Sequence, residues 1–570
     1  MAQRLEEDAH LANGTPTQPG LDREGTNSTI QTRNVLAVIA VLALSAISAF
    51  WSLSTTSLDS HECFVSVTAR EMLESGDWVF PTMNGNPRLN KTPLSYWLVA
   101  SLAKVTGRVD EFTTRLPSAV FAFLSAVAIL YFVSRWLSLR IALISTAVWA
   151  TSLGYVRCSH IGRPDMALAF FIIICFLCFY SAITAKTRRS QVLFMLAFWT
   201  SLGLGNLAKG PAPIPYVFIP LLAYIAFRRQ WKIVPKLLPI VGPIILLAIT
   251  LPWPLAIAHR VNWDLVLWKK EFVDRFFGDY ARGRYPIYYY FIIMFKYIVP
   301  WVAFLLPALR APFRNVWETK KGVMKFLWIW FVADIIFLTI NAGKRQHYIL
   351  PLMPALSILI AILFEDIIFV RRVYSRGLIQ KLLIAYLVII GIPSLVGPVA
   401  VAIINPPYLL PSIALGVVTI AGLLWITLLS AKNEYGAVFS IAIFGTVLAW
   451  IMIALSGFSL ALDDGRFSRS FARKVAQIVP DSGSLVAFPD ISDRFVQYFG
   501  QVVPIKTDKP TLHEAYERGD WIVCTSGYLS QVTSNDRLRT IYSRAEDENG
   551  KEDSGGAVFH KSAPILEDNY

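Results

Sequence analysis

Charge is what the sequence most conspicuously lacks. Only 16% of its 570 residues are Asp, Glu, Lys or Arg, whereas 55% are hydrophobic and the mean hydropathy is +0.50. A typical soluble domain has about 25% charged residues, so water cannot be the solvent for most of this chain. Cysteine is scarce too: there are five, an odd number, and Cys175 and Cys178 lie one helical turn apart in an apolar run. They are interpreted as buried apolar residues, not as disulfides or a metal site.

Long apolar runs occupy most of the chain up to about residue 460. Each is close to the ~20 residues that an α-helix needs to cross ~30 Å of hydrocarbon. The runs include 35–52, 166–183, 213–227, 238–258, 347–364 and 436–458. The sequence therefore predicts an α-helical polytopic membrane protein. Its net charge of +14 fits basic loops that face the cytoplasm and contact membrane lipids, so nucleic acid is not expected as a partner.

The distribution of Lys and Arg predicts the topology. Basic clusters mark cytoplasmic loops, and each interval between two clusters has room for two spans. The clusters lie at 135–140, 186–189, 228–236, 310–325 and 371–381, and at Lys432. A single span can lie between an outer loop at 53–91 and an inner Arg135. The short run at 94–105 is therefore interpreted as an in-plane or re-entrant helix, and 117–134 as the span. About thirteen spans result, with the N-terminus inside.

The chain divides into three predicted regions. Residues 1–34 are polar, which predicts a disordered cytoplasmic tail with no cleavable signal peptide. Residues 35–462 form the transmembrane domain, with a large first extracytoplasmic loop at 53–91. Residues 463–570 combine β-rich runs with amphipathic helical patterns and predict a small soluble α/β domain on the outer face. The β-rich runs are 485–488, 502–505, 521–526, 538–542 and 557–561.

Basic residues also occur in loops that this topology places outside. The positive-inside pattern does not explain them, and cations beside a span end are candidates for function. For any one of them, pairing with an acid or a lipid headgroup is an equal alternative. As a set, cations from five loops on one face suit a phosphate. They are Arg70, Arg88, Lys91, Arg157, Arg163, Lys209, Arg275, Arg282, Arg284, Lys344 and Arg345.

Three acids on the same face are candidates for catalysis: Asp59 and Glu62 in the first loop, and Asp165, which begins an apolar run. A carboxylate at that depth can anchor a cation or act as a general base. Glu62 could instead cap a helix or pair with Arg70, and Asp165 could cap its span. A lipid-linked phosphosugar fits both sets of charges, because cations would hold its phosphate while a carboxylate deprotonates the attacking hydroxyl.

The first loop, DSHECFVSVTAREMLESGDWVFPTMNGNPRLNKTPLSYW at 59–97, resembles that of the bacterial aminoarabinose transferases and the protein O-mannosyltransferase group, which are membrane glycosyltransferases with the GT-C fold. Four further motifs continue the resemblance in order: RPDMALAFF at 163–171, LAKGP at 207–211, EFVDRFFGDYARGRYPIYYY at 271–290 and GKRQHYILPLMPAL at 343–356. The resemblance implies inverting transfer of a hexose or pentose from a polyprenyl-phosphate donor. The acceptor would be a lipid such as lipid A, a glycan or a protein on the outer face of the bacterial inner membrane.

The resemblance also implies which residues act. The family's acidic pair falls on His61 and Glu62, so the base is either Asp59 or Glu62, and Asp59 is preferred as the shorter acid. Asp165 matches the family's second acid. His61 is set aside as a base, because a neighbouring phosphosugar would raise its pKa and keep it protonated.

The matched phosphate-binding positions carry one further departure from the family. Lys91 matches the lysine of a Glu-Lys-Pro-Pro motif whose glutamate binds a metal in some members, but here that glutamate is Asn90 and the first proline is Thr92. A divalent metal is therefore in doubt, and His347 has no firm assignment as a ligand. Lys91 could also be an interfacial anchor. The residues matched to the donor-phosphate site are Lys91, Lys209, Arg275, Lys344, Arg345 and Tyr348.

Two other functions compete with glycosyl transfer. A multi-span transporter of an anionic or lipid-linked substrate would also contain many spans and intramembrane charges, but the sequence has no internal repeat and its ionisable residues gather at one interface. A receptor or scaffold would use the C-terminal domain to bind a partner, for which thirteen spans are excessive. Release of polyprenyl phosphate from a sugar donor would distinguish the transferase from both.

Overall fold

The computed structural model describes residues 21–261, 285–314, 320–370, 376–404, 409–432, 434, 436–457, 466–480, 484–525, 540–544 and 556–559. In these ranges nine helices are long and apolar enough to cross a membrane, or up to twelve if each of three bent helix pairs is one span. The prediction of a helical, polytopic membrane protein is confirmed. The count of thirteen spans stays a prediction.

The N-terminal half contains eleven described α-helices and one small hairpin. The helices are α1 (Leu21–Phe50), α2 (Ser60–Ser75), α3 (Leu94–Thr106), α4 (Glu111–Trp136), α5 (Leu139–Ala150), α6 (Leu153–Ser159), α7 (Asp165–Thr184), α8 (Arg188–Lys209), α9 (Pro213–Arg228), α10 (Val241–Thr250) and α11 (Pro252–Arg260). Strands β1 (Thr82–Met83) and β2 (Asn86–Pro87) pair antiparallel between α2 and α3.

Two predicted boundaries can be compared with these helices. Helix α1 begins at Leu21, so residues 21–34 are helical where a disordered tail was predicted, and residues 1–20 lie outside the described ranges. The run at 94–105 forms the separate helix α3, whose 13 residues extend about 20 Å at 1.5 Å per residue. That length is short of the ~30 Å hydrocarbon thickness. Its in-plane orientation stays a prediction.

The C-terminal half continues the bundle and ends in the α/β region. Its helices are α12 (Tyr289–Ile298), α13 (Leu305–Arg310), α14 (Lys321–Ile340), α15 (Met353–Glu365), α16 (Arg376–Ile404), α17 (Leu409–Ala431), α18 (Ala437–Gly457), α19 (Arg466–Ile478), α20 (Asp493–Phe499) and α21 (Lys509–Glu517). A 3₁₀ helix, Gln346–Leu352, precedes α15. The strands are β3 (Leu485–Phe488), β4 (Trp521–Thr525), β5 (Thr540–Arg544) and β6 (Gly556–Phe559).

Helix α7 is the centre of the bundle. It is apolar on all sides, as expected of a helix surrounded by other helices, and it packs against α4, α8 and the 3₁₀ helix before α15. Helices α7 and α8 are joined by a short loop at 185–187 and pack along each other, so the first residue of α7 and the last residue of α8 lie at the same end. Those two residues are Asp165 and Lys209.

The C-terminal region forms one four-stranded sheet in the order β3, β4, β6, β5. Strands β3 and β4 are parallel, and the other two pairings are antiparallel. Four of the five predicted β-rich runs contain a strand. The prediction at 502–505 is wrong, because this segment forms only an isolated bridge between Ile505 and Ala487.

This α/β region packs directly against α2. Val67 of α2 belongs to the same apolar cluster as Phe471 and Phe495. Ser66 donates a hydrogen bond of 2.7 Å to the side chain of Gln497, and the guanidinium of Arg70 donates to two backbone carbonyls of α20. One side of α2 is thus fixed to the α/β region, which leaves its first turn to face the membrane domain.

Candidate active site

A cavity of about 650 Å³ opens where α7 begins and α8 ends. Its walls are the first turns of α2, the segment 88–96 leading into α3, the junction of α8 and α9, and the segment 341–348 after α14. Together with the start of α7, these walls bring five separate stretches of the chain to one cavity. The basic, acidic and imidazole side chains that line it are His61, Arg88, Lys91, Arg163, Asp165, Lys209, Arg345 and His347.

Asp165 is the acid of the cavity wall and forms an ion pair there. It lies in the first turn of α7, where the helix dipole favours a negative charge. Lys209 Nζ hydrogen-bonds to its Oδ1, and His347 Nε2 lies 3.4 Å from the same oxygen. The Lys209 ammonium also lies 4.9 Å from the centre of the Tyr348 ring. Asp165 thus holds a cation at the cavity wall, one of the two roles that the sequence allowed.

Glu62 lies in a different environment. Its carboxylate accepts two hydrogen bonds from Arg115, at 2.8 and 2.9 Å, and further ones from the backbone N–H groups of Gly162 and Asp59. Both charged side chains are at most 4% exposed. Arg115 also donates to carbonyl oxygens of the α1–α2 connection, including that of Leu53. Glu62 does not line the cavity, and this buried pair fixes the first loop to α4.

Asp59 begins α2 as its N-cap. Its Oδ1 accepts hydrogen bonds from the backbone N–H groups of His61 and Glu62, at 2.7 and 2.9 Å, and the Glu62 side chain completes a capping box. Its Oδ2 pairs with Arg163 at 2.5 Å. Like Glu62, Asp59 is not among the cavity-lining residues, whereas its partner Arg163 is.

His61 does line the cavity, unlike either acid of the first loop. Its ring packs edge-on against Phe64, with the ring centres 5.7 Å apart. Partial burial, and then the nearby Arg163, lower its pKa below the usual value of about 6.5. A pKa below 6.5 leaves the imidazole mostly neutral at pH 7. The sequence alone could not show that His61 lies close to Arg163 in the folded protein.

The predicted phosphate-binding residues divide into three groups. Lys91, Lys209, Arg345 and Tyr348 line the cavity. Lys344 does not line it, although its neighbour does, and Arg275 lies outside the described residues. Two further cations, Arg88 and Arg163, line the cavity without having been matched to the phosphate site. The RPD motif at 163–165 was the signal available for Arg163, because it places this cation two residues from Asp165.

The described residues of the cavity do not supply a set of ligands for a divalent metal. Within the described ranges there is no group of three or more His, Cys, Asp and Glu side chains that could hold one. Asn90, which matches the position of a glutamate that binds a metal in some members of the family, lines the cavity, and Asp165 is already paired with Lys209. His347 contacts the same carboxylate, with its Nε2 3.4 Å from Asp165 Oδ1.

The chain is similar to known membrane glycosyltransferases. Residues 64–309 match the family model described as dolichyl-phosphate-mannose-protein mannosyltransferase. The undecaprenyl phosphate-alpha-4-amino-4-deoxy-L-arabinose arabinosyl transferase 2 of Proteus mirabilis is 26% identical over 297 residues, which are 51% of this chain and 53% of that protein. The corresponding transferase of Serratia proteamaculans is 26% identical over 379 residues, 64% of this chain and 66% of that protein. The alignment with the Proteus mirabilis transferase thus spans about half of the length of that protein.

The fold is similar to that of a protein whose crystal structure is known. That of ArnT from Cupriavidus metallidurans bound to undecaprenyl phosphate superposes with a TM-score of 0.79 at 20% identity, covering 94% of this chain and 99% of that one. The apo form of the same protein gives 0.76 at 21% identity. The predicted resemblance to polyprenyl-phosphate-sugar-dependent transferases and the predicted GT-C fold are both confirmed.

Proposed function

We propose that this protein is an inverting glycosyltransferase that moves a sugar from a polyprenyl-phosphate donor to a lipid, glycan or protein acceptor. The observation that carries the proposal is a single cavity in which cations from four separate stretches surround a paired aspartate: Lys91, Arg163, Lys209 and Arg345. Such a set suits a phosphate, because charge-assisted hydrogen bonds to it are short and strong. The similarity to enzymes named for an undecaprenyl phosphate sugar supports the same donor class.

The cations have a chemical role in this reaction. When the acceptor hydroxyl attacks the anomeric carbon, the bond from that carbon to the phosphate oxygen breaks, and the phosphate leaves with the electron pair. Cations already positioned around that oxygen stabilise the developing charge without reorganisation. Asp165 contributes indirectly, because it holds Lys209 at the wall. Tyr348 supports the same ammonium through its ring face.

The proton of the acceptor hydroxyl requires a base that reaches the cavity. Sequence reasoning favoured Asp59, with Glu62 as the alternative, but both carboxylates already hold arginines, and neither lines the cavity. We propose that His61 accepts the proton, since its ring lines the cavity. Burial and the nearby Arg163 lower the pKa of His61, which opposes the rise in pKa expected from a neighbouring phosphosugar. Asp59 then acts as a positioning residue that caps α2 and holds Arg163.

The proposed orientation places the cavity and the C-terminal α/β domain on the outer face of the bacterial inner membrane. The Lys and Arg clusters of the alternate loops support it. Reporter fusions test it directly. Fusions at residues 230, 315 and 375 are expected to report a cytoplasmic location, and fusions at 275 and 550 an extracytoplasmic one. A cytoplasmic signal at 550 would contradict the orientation.

The activity is tested with purified protein in detergent or nanodiscs. A polyprenyl-phosphate sugar is supplied with candidate acceptors, and polyprenyl phosphate release is followed by mass spectrometry. Release that requires both donor and acceptor is expected. A transporter would leave the donor intact, so intact donor with every acceptor class, under conditions where the donor binds, would contradict a transferase.

A further inference from the structure

The connection between α1 and α2, residues 51–59, is held from two sides. Helix α2, which carries His61 in its first turn, begins directly after this connection. From the membrane domain, Arg115 of α4 donates hydrogen bonds to three backbone carbonyls of the connection, those of Leu53, Thr56 and Ser57. The carbonyl of the next residue, Leu58, accepts a hydrogen bond from the C-terminal α/β region instead. Two regions that are far apart in sequence thus hold successive residues of one connection.

Both backbone groups of Leu58 are bound by side chains of α20. The N–H of Leu58 donates a hydrogen bond of 2.7 Å to the hydroxyl of Tyr498, and its carbonyl accepts one of 3.2 Å from Nε of Arg494. Leu58 is fully buried, so its backbone groups depend on these partners and not on water. Arg494 and Tyr498 are four residues apart and therefore lie on the same face of α20. Together they form what we call the Leu58 clamp.

The hydroxyl of Tyr498 also joins the Leu58 clamp to α4. It accepts the hydrogen bond from Leu58 and donates one of 3.0 Å to Oε1 of Glu111, so it acts as donor and acceptor at once. The same Glu111 oxygen accepts a hydrogen bond of 3.2 Å from Arg469 of α19. Glu111 lies one helical turn before Arg115, which holds the rest of the connection. The clamp is thus part of a network that spans the α/β region, the connection and α4.

The residue after Leu58 transmits its position to the cavity. Asp59 follows Leu58 directly, and its Oδ1 accepts a hydrogen bond from the backbone N–H of His61 while its Oδ2 pairs with Arg163. His61 and Arg163 both line the cavity, whereas no described residue of the α/β region does. A displacement of Leu58 therefore moves two cavity-lining side chains, although the α/β region itself lies outside the cavity wall.

We propose that Tyr498 and Arg494 are positioning residues, through which the C-terminal α/β region holds Leu58 and thereby places His61 and Arg163 for sugar transfer. The inference rests on the proposed function, in which those two residues act. It gives the α/β region a part in catalysis beyond packing against α2. Loss of one hydrogen bond of the clamp lets the first turn of α2 shift, and a misplacement of about 1 Å is enough to reduce turnover by roughly 10²-fold.

The first test removes the hydroxyl of the clamp and keeps the ring. In Tyr498→Phe, kcat for polyprenyl phosphate release is expected to fall roughly ten- to a hundredfold, because the base is misplaced. KM for the donor should change by less than about threefold, because three of the cations that line the cavity, Lys91, Lys209 and Arg345, do not lie on α2. A kcat equal to that of the wild type in folded Tyr498→Phe would overturn the inference.

Ser66→Ala is the matched control. It also removes one hydrogen bond of 2.7 Å between the first loop and α20, the bond to Gln497, but it does so away from Leu58 and outside the cavity wall. Its kcat is expected to stay within about threefold of the wild-type value. Equal losses of kcat in Ser66→Ala and Tyr498→Phe would show that any weakening of the contact with the α/β region lowers turnover, and would overturn the role of the clamp.

Hydrogen exchange followed by mass spectrometry supplies a readout that does not need activity. Peptides that contain residues 58–62 are expected to exchange faster in Tyr498→Phe than in the wild type or Ser66→Ala, because the N–H of Leu58 loses its acceptor. Exchange at the wild-type rate in Tyr498→Phe would overturn the inference. Arg494→Gln removes the other half of the clamp and should show the same pattern of kcat, KM and exchange, so it replaces Tyr498→Phe if that variant does not fold.

The two proposals fail in different ways. A wild-type protein that releases no polyprenyl phosphate with any donor and acceptor contradicts the proposed function. An active wild type together with equally active Tyr498→Phe and Arg494→Gln variants contradicts only the positioning role of the clamp.

Discussion

Two carboxylate and cation pairs at the same end of the bundle invite comparison. Glu62 with Arg115 and Asp165 with Lys209 each join residues that are far apart in sequence. The first pair is at most 4% exposed and is also bound by backbone groups, whereas Lys209 is 21% exposed and lines the cavity. The same chemistry thus fixes the first loop in one place and presents a cation to a ligand in the other.

This difference separates ion pairs that only stabilise the fold from ion pairs that can also bind a ligand. A pair whose hydrogen bonds are all made within the protein has no capacity left for a ligand, and removing one partner leaves a buried charge. A pair that faces a cavity keeps donors available, because an ammonium has three and Asp165 uses only part of them. Mutations in the two pairs should therefore affect different quantities, namely stability and turnover.

The largest expected effect is on folding. Glu62→Gln leaves Arg115 buried without its counterion, which should lower the free energy of unfolding by about 3–5 kcal/mol. Thermal unfolding of the purified protein, followed by tryptophan fluorescence, measures the change. Asp165→Asn is the matched control, since its lysine partner can reach water. A Glu62→Gln protein as stable as the wild type, but inactive, would return Glu62 to the list of candidate bases.

The next effect concerns the proposed base. His61→Gln should reduce kcat by roughly 10²–10⁴-fold while the donor still binds, because only proton transfer is lost. The neutral imidazole is the active form, and its lowered pKa keeps it neutral to a pH below 6.5. The wild-type kcat/KM should therefore fall as the pH drops through that pKa, about tenfold per pH unit.

The pH profile of the variants provides the control for this assignment. His61→Asp should retain partial activity and shift the acidic fall to lower pH, because an ordinary aspartate has a pKa of about 3.9. In His61→Gln, kcat/KM should not fall with decreasing pH until the pH is low enough for other groups to titrate. An acidic limb that is unchanged in His61→Gln would exclude His61 as its origin.

A smaller effect is expected when either of two predicted phosphate-binding lysines is replaced by alanine. Lys91 lines the cavity and Lys344 does not, although the sequence assigned both to the phosphate site. Lys91→Ala should lose about 1.5–3 kcal/mol of transition-state stabilisation, or roughly ten- to a hundredfold in kcat/KM, if a charge-assisted hydrogen bond to phosphate is lost. Lys344→Ala should change it by less than about threefold. Equal losses of kcat/KM in the two variants would indicate that both lysines attract the donor only through their charge, without a specific contact to its phosphate.

The sequence was sufficient for some of these features and not for others. Membrane spans are predictable because each is a local property of about twenty residues. The motifs around Asp165 and Lys209 were enough to select them as candidate site residues, and both line the cavity. The partner of Glu62 was not, because Arg115 lies 53 residues away and is selected by how α2 packs on α4. The prediction of a strand at 502–505 was wrong for a similar reason. Whether a β-rich run pairs depends on which sheet edge is available to it.

The smallest effect should come from Asp59, which sequence reasoning favoured as the base. Asn caps helices as well as Asp does, so Asp59→Asn keeps the start of α2 and weakens mainly the ion pair with Arg163. That pair is partly exposed and should contribute about 1 kcal/mol or less, equivalent to a severalfold loss in kcat/KM. Asp110→Asn, at the N-cap of α4 and outside the cavity, controls for the effect of changing a cap. A loss of 10²-fold or more in Asp59→Asn alone, with donor binding retained, would make Asp59 the base, because no capping or surface ion-pair effect is that large.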